Sequence, residues 1–574
     1  MRRLAAVVVA LMVTTCGAEP PPPAPPPPRV AATVPPAHDP SVPARAYADG
    51  VRSCSLADPQ RIGEWRYALI GGPFEPRLAM TSDELRRAWA AGDVAAAPET
   101  AIVLRGVLGA GAPPAFTAAD HPALARGRFA VVAVDELAPS YSIVTVDGAH
   151  PLAREATGPL AIGLCASAPR APIRNLDPAR LTTLVMSGTT ALTGRTAERL
   201  DHYGIADTIK YLAPFFTTAD LVHISNEVTF VRDCHPARGQ KPPLSFCSRD
   251  RYIDVLAALH ASIIELTGSH LFDYGQSSLV RTLDMYERRG WVWYGGGRTQ
   301  IDATAPRIVE DHGNRLAFVG CNHVNWWIKA IFAGPGGANC DYPRMVWQIG
   351  DLRRRGYTVI ATVQHRELRT HRPDGDLVDD LRRLAEAGAT FVEGSQAHTA
   401  HPWDVHDRAY VHYGPGNTLF AQYIEAQREA TVDKLYIHAG TLLAVDHLFI
   451  RTEHGQPRLL TDRERTRFLD QMITAEAAIA PPDPWRAPPL PPETRVRPDS
   501  VVSHGRSQAL TVTVPERVAD GRRYPLVVTR RSSCDQPDAF VVVPTGRAVA
   551  SLDEIATFMA AKYPIDPARV ALRP

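Results

Sequence analysis

Between about Asp177 and Glu476 the chain alternates short apolar runs with amphipathic segments of roughly 10–15 residues, a pattern that restricts its fold more than any other feature. Leu181–Ser187, Leu221–Ser225, Ala261–Leu266, Arg315–Gly320, Thr358–Gln364 and Thr390–Val392 read as buried strands. Thr196–Leu212, Arg251–Leu259, Ser277–Arg289 and Leu377–Ala387 read as helices. Parallel strands need long crossovers, and helical crossovers cover the sheet they return to. Two later runs, Tyr410–Tyr413 and Leu435–His438, add strands without intervening helices and predict a mixed sheet or a sandwich.

The polar residues fall at the ends of these strands. Ser187-Gly188-Thr189-Thr190 closes the first and Ser225-Asn226-Glu227 the second. Gly268-Ser269-His270-Leu271-Phe272-Asp273 closes the third, and Gln364-His365-Arg366-Glu367, Gly394-Ser395-Gln396-Ala397-His398 and Gly414-Pro415-Gly416-Asn417 follow later ones. In an open α/β sheet, the carboxyl edge of the strands is where ligands gather. One such loop means little in a chain with 20 histidines, but five or six in register point to a shared site.

Charge excludes some partners. With 62 Lys and Arg against 61 Asp and Glu, the net charge of +1 offers no electrostatic attraction for nucleic acid or another polyanion. At the N-terminus, Arg2 and Arg3 precede an apolar run, Leu4–Val13, too short to span a bilayer, as in a secretory signal. Cys16 followed by Gly17 resembles a bacterial lipobox, which implies lipidation of Cys16 and an exported chain tethered at the cell envelope; ordinary signal cleavage is the alternative. Export permits disulfides. Cys234 and Cys247, and Cys321 and Cys340, bracket loops, Cys54 and Cys165 would clip an N-terminal unit, and Cys534 is left over; sequence alone does not fix the connectivity.

The remaining organisation follows from composition. Residues 1–16 are the signal, and 17–43 are a Pro-rich spacer. Residues 44–175 form a small α/β domain, with a helix at Ser82–Ala91 and strands at Ala101–Leu104, Phe129–Val134 and Tyr141–Val146. A second Pro-rich linker covers 481–499. The segment 500–574 contains a strand at Tyr524–Val528 and a helix at Leu552–Lys562. It resembles part of an α/β-hydrolase esterase but contains no G-x-S-x-G nucleophile elbow, which argues against serine-hydrolase activity there.

The ordered loops of 177–480 resemble those of the capsule-synthesis CapA proteins of poly-γ-glutamate biosynthesis, whose core is a calcineurin-like metallophosphoesterase fold. The likeness runs over about residues 180–425. The family's Asn-Asn-His-x-x-Asp-Tyr-Gly is matched by Gly268-Ser269-His270-Leu271-Phe272-Asp273-Tyr274-Gly275. Its Gly-Asp is matched by Gly188-Thr189, its Asn-x-Glu by Asn226-Glu227, and its His-Trp-Gly-x-Glu loosely by His365-Arg366-Glu367. Its Gly-x-His-Pro-His falls on Gly394–His398, and its Tyr-Ser-x-Gly-Asn on Tyr413–Asn417.

The resemblance implies a layered, mixed-sheet metallophosphoesterase-like α/β core. It also implies a divalent ion (Mn, Zn or Fe) and, as partner, a capsule or exopolymer substrate or its synthesis machinery. A two-metal site holds its ions about 3.5–4 Å apart on carboxylate, amide and imidazole ligands. Here Thr189, Ser269 and Gln396 stand where the family has Asp, Asn and His. The ligands left are Glu227, His270, His365 and His398, enough for one ion but few for two. His270, Asp273 and Glu367 become the candidate catalytic residues, with Asp273 either orienting His270 or capping the next helix. Thr189, Asn226, Gln396 and Asn417 become candidate substrate contacts. His323 and the Asn325-Trp326-Trp327 segment either line a cleft or pack internally. A second outcome stays open, in which the fold is kept, the ions are lost, and the cleft binds a polymer or peptide.

Overall fold

Strand residues of the central body alternate between two apolar layers, as the period of two requires. Leu184 and Met186 face one way and Val185 the other; Leu316 and Phe318 oppose Ala317 and Val319 in the same manner. The computed structural model describes residues 50–479 apart from 112, 117–123, 125, 168–170, 236–243, 325 and 407. Beyond these it describes 496–503, 506–513, 524–529, 540–545, 551, 554–555, 557–559 and 565–573. The 1–16 segment with Cys16, the whole 17–43 spacer, most of the 481–499 linker, Cys534 and much of the 552–562 segment lie outside these residues.

Two mixed sheets form the core of 177–479. The first has eight strands. Val292–Tyr294, Ile263–Glu265, Leu221–Asn226 and Leu181–Thr190 run parallel, and Glu429–His438 and Thr441–Glu453 then continue the sheet antiparallel. The second has six strands, with Asn314–Asn322, Thr358–Gln364, Phe391–Glu393 and Ala409–His412 parallel at its centre. Leu184, Met186 and Ile263 of the first sheet share one apolar layer with Phe318, Ile360 and Phe391 of the second. Helices Gly194–Thr208, Ile253–Ala258 and Gln276–Glu287 cover the outer face of the first sheet. Tyr342–Arg354 and Gly375–Glu386 cover the second. The layering is helix, sheet, sheet, helix, the layered mixed-sheet α/β architecture expected.

Residues 52–165 carry a separate seven-stranded sheet with helices at Ser82–Ala91 and Pro98–Leu108. The first helix begins in a capping box between Thr81 and Glu84, as its sequence predicts. The second overturns a strand reading of Ala101–Leu104. Pro98 stands in its first turn, and Ala101, Leu104 and Leu108 are buried at helical spacing, so four apolar residues in a row were a helix face. Disulfides join Cys54 to Cys165, Cys234 to Cys247 and Cys321 to Cys340.

The described residues between 496 and 573 belong to a second compact unit. Its described part is a five-stranded sheet in the order Val496–Ser503, Arg506–Thr513, Phe540–Thr545, Tyr524–Thr529, Ile565–Arg573. The first strand begins inside the stretch read as linker.

Candidate metal centre

The carboxyl ends of the parallel strands crowd together because glycines let their backbones touch. A Cβ on Gly268 would stand 2.6 Å from Cα of Glu227, and one on Gly188 would stand 2.1 Å from the carbonyl of Gly416. Both contacts are closed to any other residue, and they bring the loops after four strands onto one spot. Gln396 sits there with φ of 60°, a left-handed conformation costly for a residue with a side chain.

Glu227, Glu367 and His398 meet at this spot, each offering an atom within 4.8 Å of the others. Nε2 of His398 lies 3.6 Å from Oε1 of Glu227 and 3.4 Å from Oε1 of Glu367. Nδ1 of His398 lies 2.9 Å from Oδ1 of Asn417, whose Nδ2 donates to Gln422 and to the carbonyl of Gln427. With its amide nitrogen committed, Asn417 presents its oxygen, so His398 carries its proton on Nδ1 and turns Nε2 to the carboxylates. Glu227 is buried, and its Oε2 has no hydrogen-bond partner. Burial pushes the Glu227 carboxyl up, against the pull of His398 and His270. Burial pushes His398 down, but Glu227, Glu367 and Asn417 outweigh it and raise it to about 9. Burial opposes ionisation of Glu367, yet His398, His270 and Arg369 hold its carboxyl below the usual range.

His270 stands beside this group. Its Nδ1 is 2.6 Å from Oδ2 of Asp273, the same oxygen that accepts from the backbone N–H of Phe246. The ring of Phe246 packs on His270 at 4.6 Å between centroids. Burial lowers His270, but Asp273 and Glu227 prevail and raise it. The following helix is capped at Gly275 without a side-chain bond, so Asp273 is occupied with His270 and Phe246 rather than with the helix.

The other residues singled out from the sequence divide between neighbours of the site and structural groups. Asn226 is not at the site: its Nδ2 donates to the Val228 carbonyl and the Tyr286 hydroxyl on the helical side. A strand-end asparagine alternates faces like any strand residue, which turns it from the neighbouring Glu227. Asn417 positions His398 and is fully buried, so it is not a substrate contact. Thr189 and Gln396 are buried beneath the group; Nε2 of Gln396 donates to Ser225, and Oγ of Ser269 donates to Glu227. His365 stands apart from Glu227 and His398, in a second group with His323 and Asp380. The ring of His365 stacks on His323, at 4.1 Å between centroids. Trp327 is exposed.

Between the sheets lies a polar layer that sequence reading missed. Glu265 accepts from Ser395 and Thr267, and Asp433 accepts from His412 and His447. The ring of His223 meets the Tyr294 hydroxyl at 2.9 Å. Burial depresses His223 to about 3 and His401 to about 4. Both are neutral in the folded chain and take up protons on unfolding, near pH 6.5 and below. Their stabilisation is therefore whole above pH 6.5 and is lost as pH falls toward 4. Each contributes a slope of about 1.4 kcal/mol per pH unit in that window. Urea titrations from pH 7 to 4.5 measure it; a His223→Gln chain with the wild-type slope would refute the assignment.

Two carboxylates, one with a buried oxygen that has no partner, and an imidazole nitrogen turned toward them form a donor set that suits one borderline divalent cation. With its layered sheets and this cluster at the strand ends, the chain falls among α/β proteins with a candidate metal centre at the carboxyl edge. Residues 183–422 match the family described as bacterial capsule synthesis protein PGA_cap. The chain is 21% identical over 249 residues to the PGA biosynthesis protein CapA of Bacillus subtilis (strain 168), a match covering 42% of this chain and 65% of that protein. It is also similar to the 5'-nucleotidase precursor of Thermus thermophilus, with 14% identity, a TM-score of 0.31, and 52% of this chain and 58% of that one covered. For the NAD nucleotidase of Haemophilus influenzae the values are 9%, 0.29, 51% and 56%.

Proposed function

We propose that this chain is an exported, membrane-anchored protein of capsule or exopolymer assembly, and that Glu227, Glu367 and His398, with His270 beside them, hold one divalent cation and hydrolyse a phosphoester-type bond. The observation that carries this reading is the convergence of two carboxylates on Nε2 of a buried, Asn417-fixed histidine. The match of residues 183–422 to the capsule-synthesis family supports the biological setting. The Arg2-Arg3 start, the apolar run and Cys16 support export and anchoring, and three disulfides suit an oxidising compartment.

A bound cation would supply Lewis acidity and lower the pKa of water. His270, its Nδ1 fixed by Asp273, keeps Nε2 free to give a proton to a leaving oxygen. Phe246 shields that pair from solvent. Metal analysis of the purified full chain, with manganese-dependent hydrolysis of bis(p-nitrophenyl) phosphate, tests the reading. The expected result is metal-dependent turnover and an equivalent of ion that Glu227→Gln removes; an ion content unchanged by that substitution, with no turnover, overturns it.

The buried neutral groups Thr189, Ser269 and Gln396 around the cluster favour a second reading, a polymer- or peptide-binding protein on the same fold. Activity that His270→Ala and His398→Ala abolish in folded protein excludes binding alone.

A further inference from the structure

His323, His365 and Asp380 form a second group of metal-ligating side chains, sharing no residue with Glu227, Glu367 and His398. One nitrogen of each ring and one carboxylate oxygen lie within 4.8 Å of one another. Oδ2 of Asp380 is 3.4 Å from Nδ1 of His323 and 3.5 Å from Nε2 of His365. Nδ1 of His365 has no hydrogen-bond partner and Nε2 faces only the Asp380 carboxylate, although the side chain is only 2% exposed. A buried imidazole with one nitrogen unpaired and the other in a long contact with a carboxylate is costly unless something else engages it.

The group is built on rigid stems. His323 and His365 follow adjacent parallel strands whose last residues, Asn322 and Gln364, are in register. Nδ2 of Asn322 donates to Oε1 of Gln364 at 2.8 Å, and the backbone N–H of His323 donates to the Gln364 carbonyl at 2.9 Å. Cys321, two residues before His323, is tied to Cys340. The Tyr342 hydroxyl, 2.9 Å from Nδ1 of His323, fixes the orientation of that ring. Asp380 projects from the helix Gly375–Glu386, where leucines hold the neighbouring positions against the sheet. Two histidines and one carboxylate held this way match the three protein ligands of an open zinc site. His323, 26% exposed, leaves a side through which an ion can enter and a water can complete the coordination.

We infer that His323, His365 and Asp380 bind a borderline divalent transition-metal ion, zinc in the first instance, independently of the Glu227–Glu367–His398 centre. The test is zinc stoichiometry on the metal-stripped full chain, with Co2+ replacing Zn2+ to give the visible absorption of a four-coordinate ion. Glu227→Gln is expected to retain one equivalent, and adding Asp380→Asn to that chain to remove it. His323→Gln in the Glu227→Gln chain provides a second route to the same loss, should Asp380→Asn fail to fold by circular dichroism. A Glu227→Gln chain that binds no zinc overturns the inference. So does one whose ion survives both further substitutions. If Asp380→Asn alone leaves no ion while Glu227→Gln leaves one, this site stands and the cation of the proposed hydrolytic centre does not.

Discussion

Glu227→Gln is expected to remove the cation from its centre and to lower manganese-dependent phosphodiesterase turnover by about 10²–10⁴-fold. Glutamine copies the shape of the carboxyl but offers a neutral oxygen and an N–H, both poor for an ion. The same change should leave the metal-free fold at least as stable as wild type, because burial already disfavours the charged form of Glu227. Thermal unfolding in chelator, read beside turnover, separates the two effects. Unchanged turnover in the variant would remove Glu227 from the chemistry. Asp273→Asn should cost less, about 10–100-fold, since it disturbs only the orientation of His270.

The largest expected loss of stability lies elsewhere, at Asp433. Its two oxygens accept from His412 at 2.6 Å and His447 at 2.8 Å, with all three groups in the layer between strands. Burial pushes the Asp433 carboxyl up, but the two imidazoles prevail and hold it far below the usual range. A depressed carboxyl contributes stability above its unfolded pKa of about 3.9, and that contribution disappears as pH falls through and below this value. Asp433→Ala leaves two buried rings without their acceptor and should cost about 3–5 kcal/mol at pH 7. The difference from wild type should shrink near pH 3, as urea unfolding at the two pH values will show. A gap of the same size at both would mean that packing, not charge, explains the loss.

The layered core was legible because its strands carry their own signals. Leu181–Ser187 and Thr358–Gln364 are apolar runs ended by polar loops, and both are central parallel strands. The meeting of Glu227 with His398 was legible only through the ordered loops, since residues so far apart in the chain carry no local sign of contact. Direction was the part that stayed hidden. Asn226 and Glu227 are neighbours in sequence yet face opposite layers. His365 follows a strand like the others, but its ring turns to Asp380, a residue on a helix with nothing to mark it except an acid on a buried face. The polar layer of Glu265, Glu393 and Asp433 was hidden for a related reason. Single acids inside apolar strands resemble solvent-facing positions until the second sheet is in place.

The Cys234–Cys247 clip has a consequence for how the protein is made. It closes the excursion that delivers Phe246 to His270 and Asp273, so a covalent bond formed after synthesis holds a wall of the centre. A chain matured without an oxidant would keep Glu227 and His398 in place yet leave the His270–Asp273 pair open to water. Two batches of identical sequence can then differ in turnover while agreeing in fold, and a thiol count of each will tell them apart.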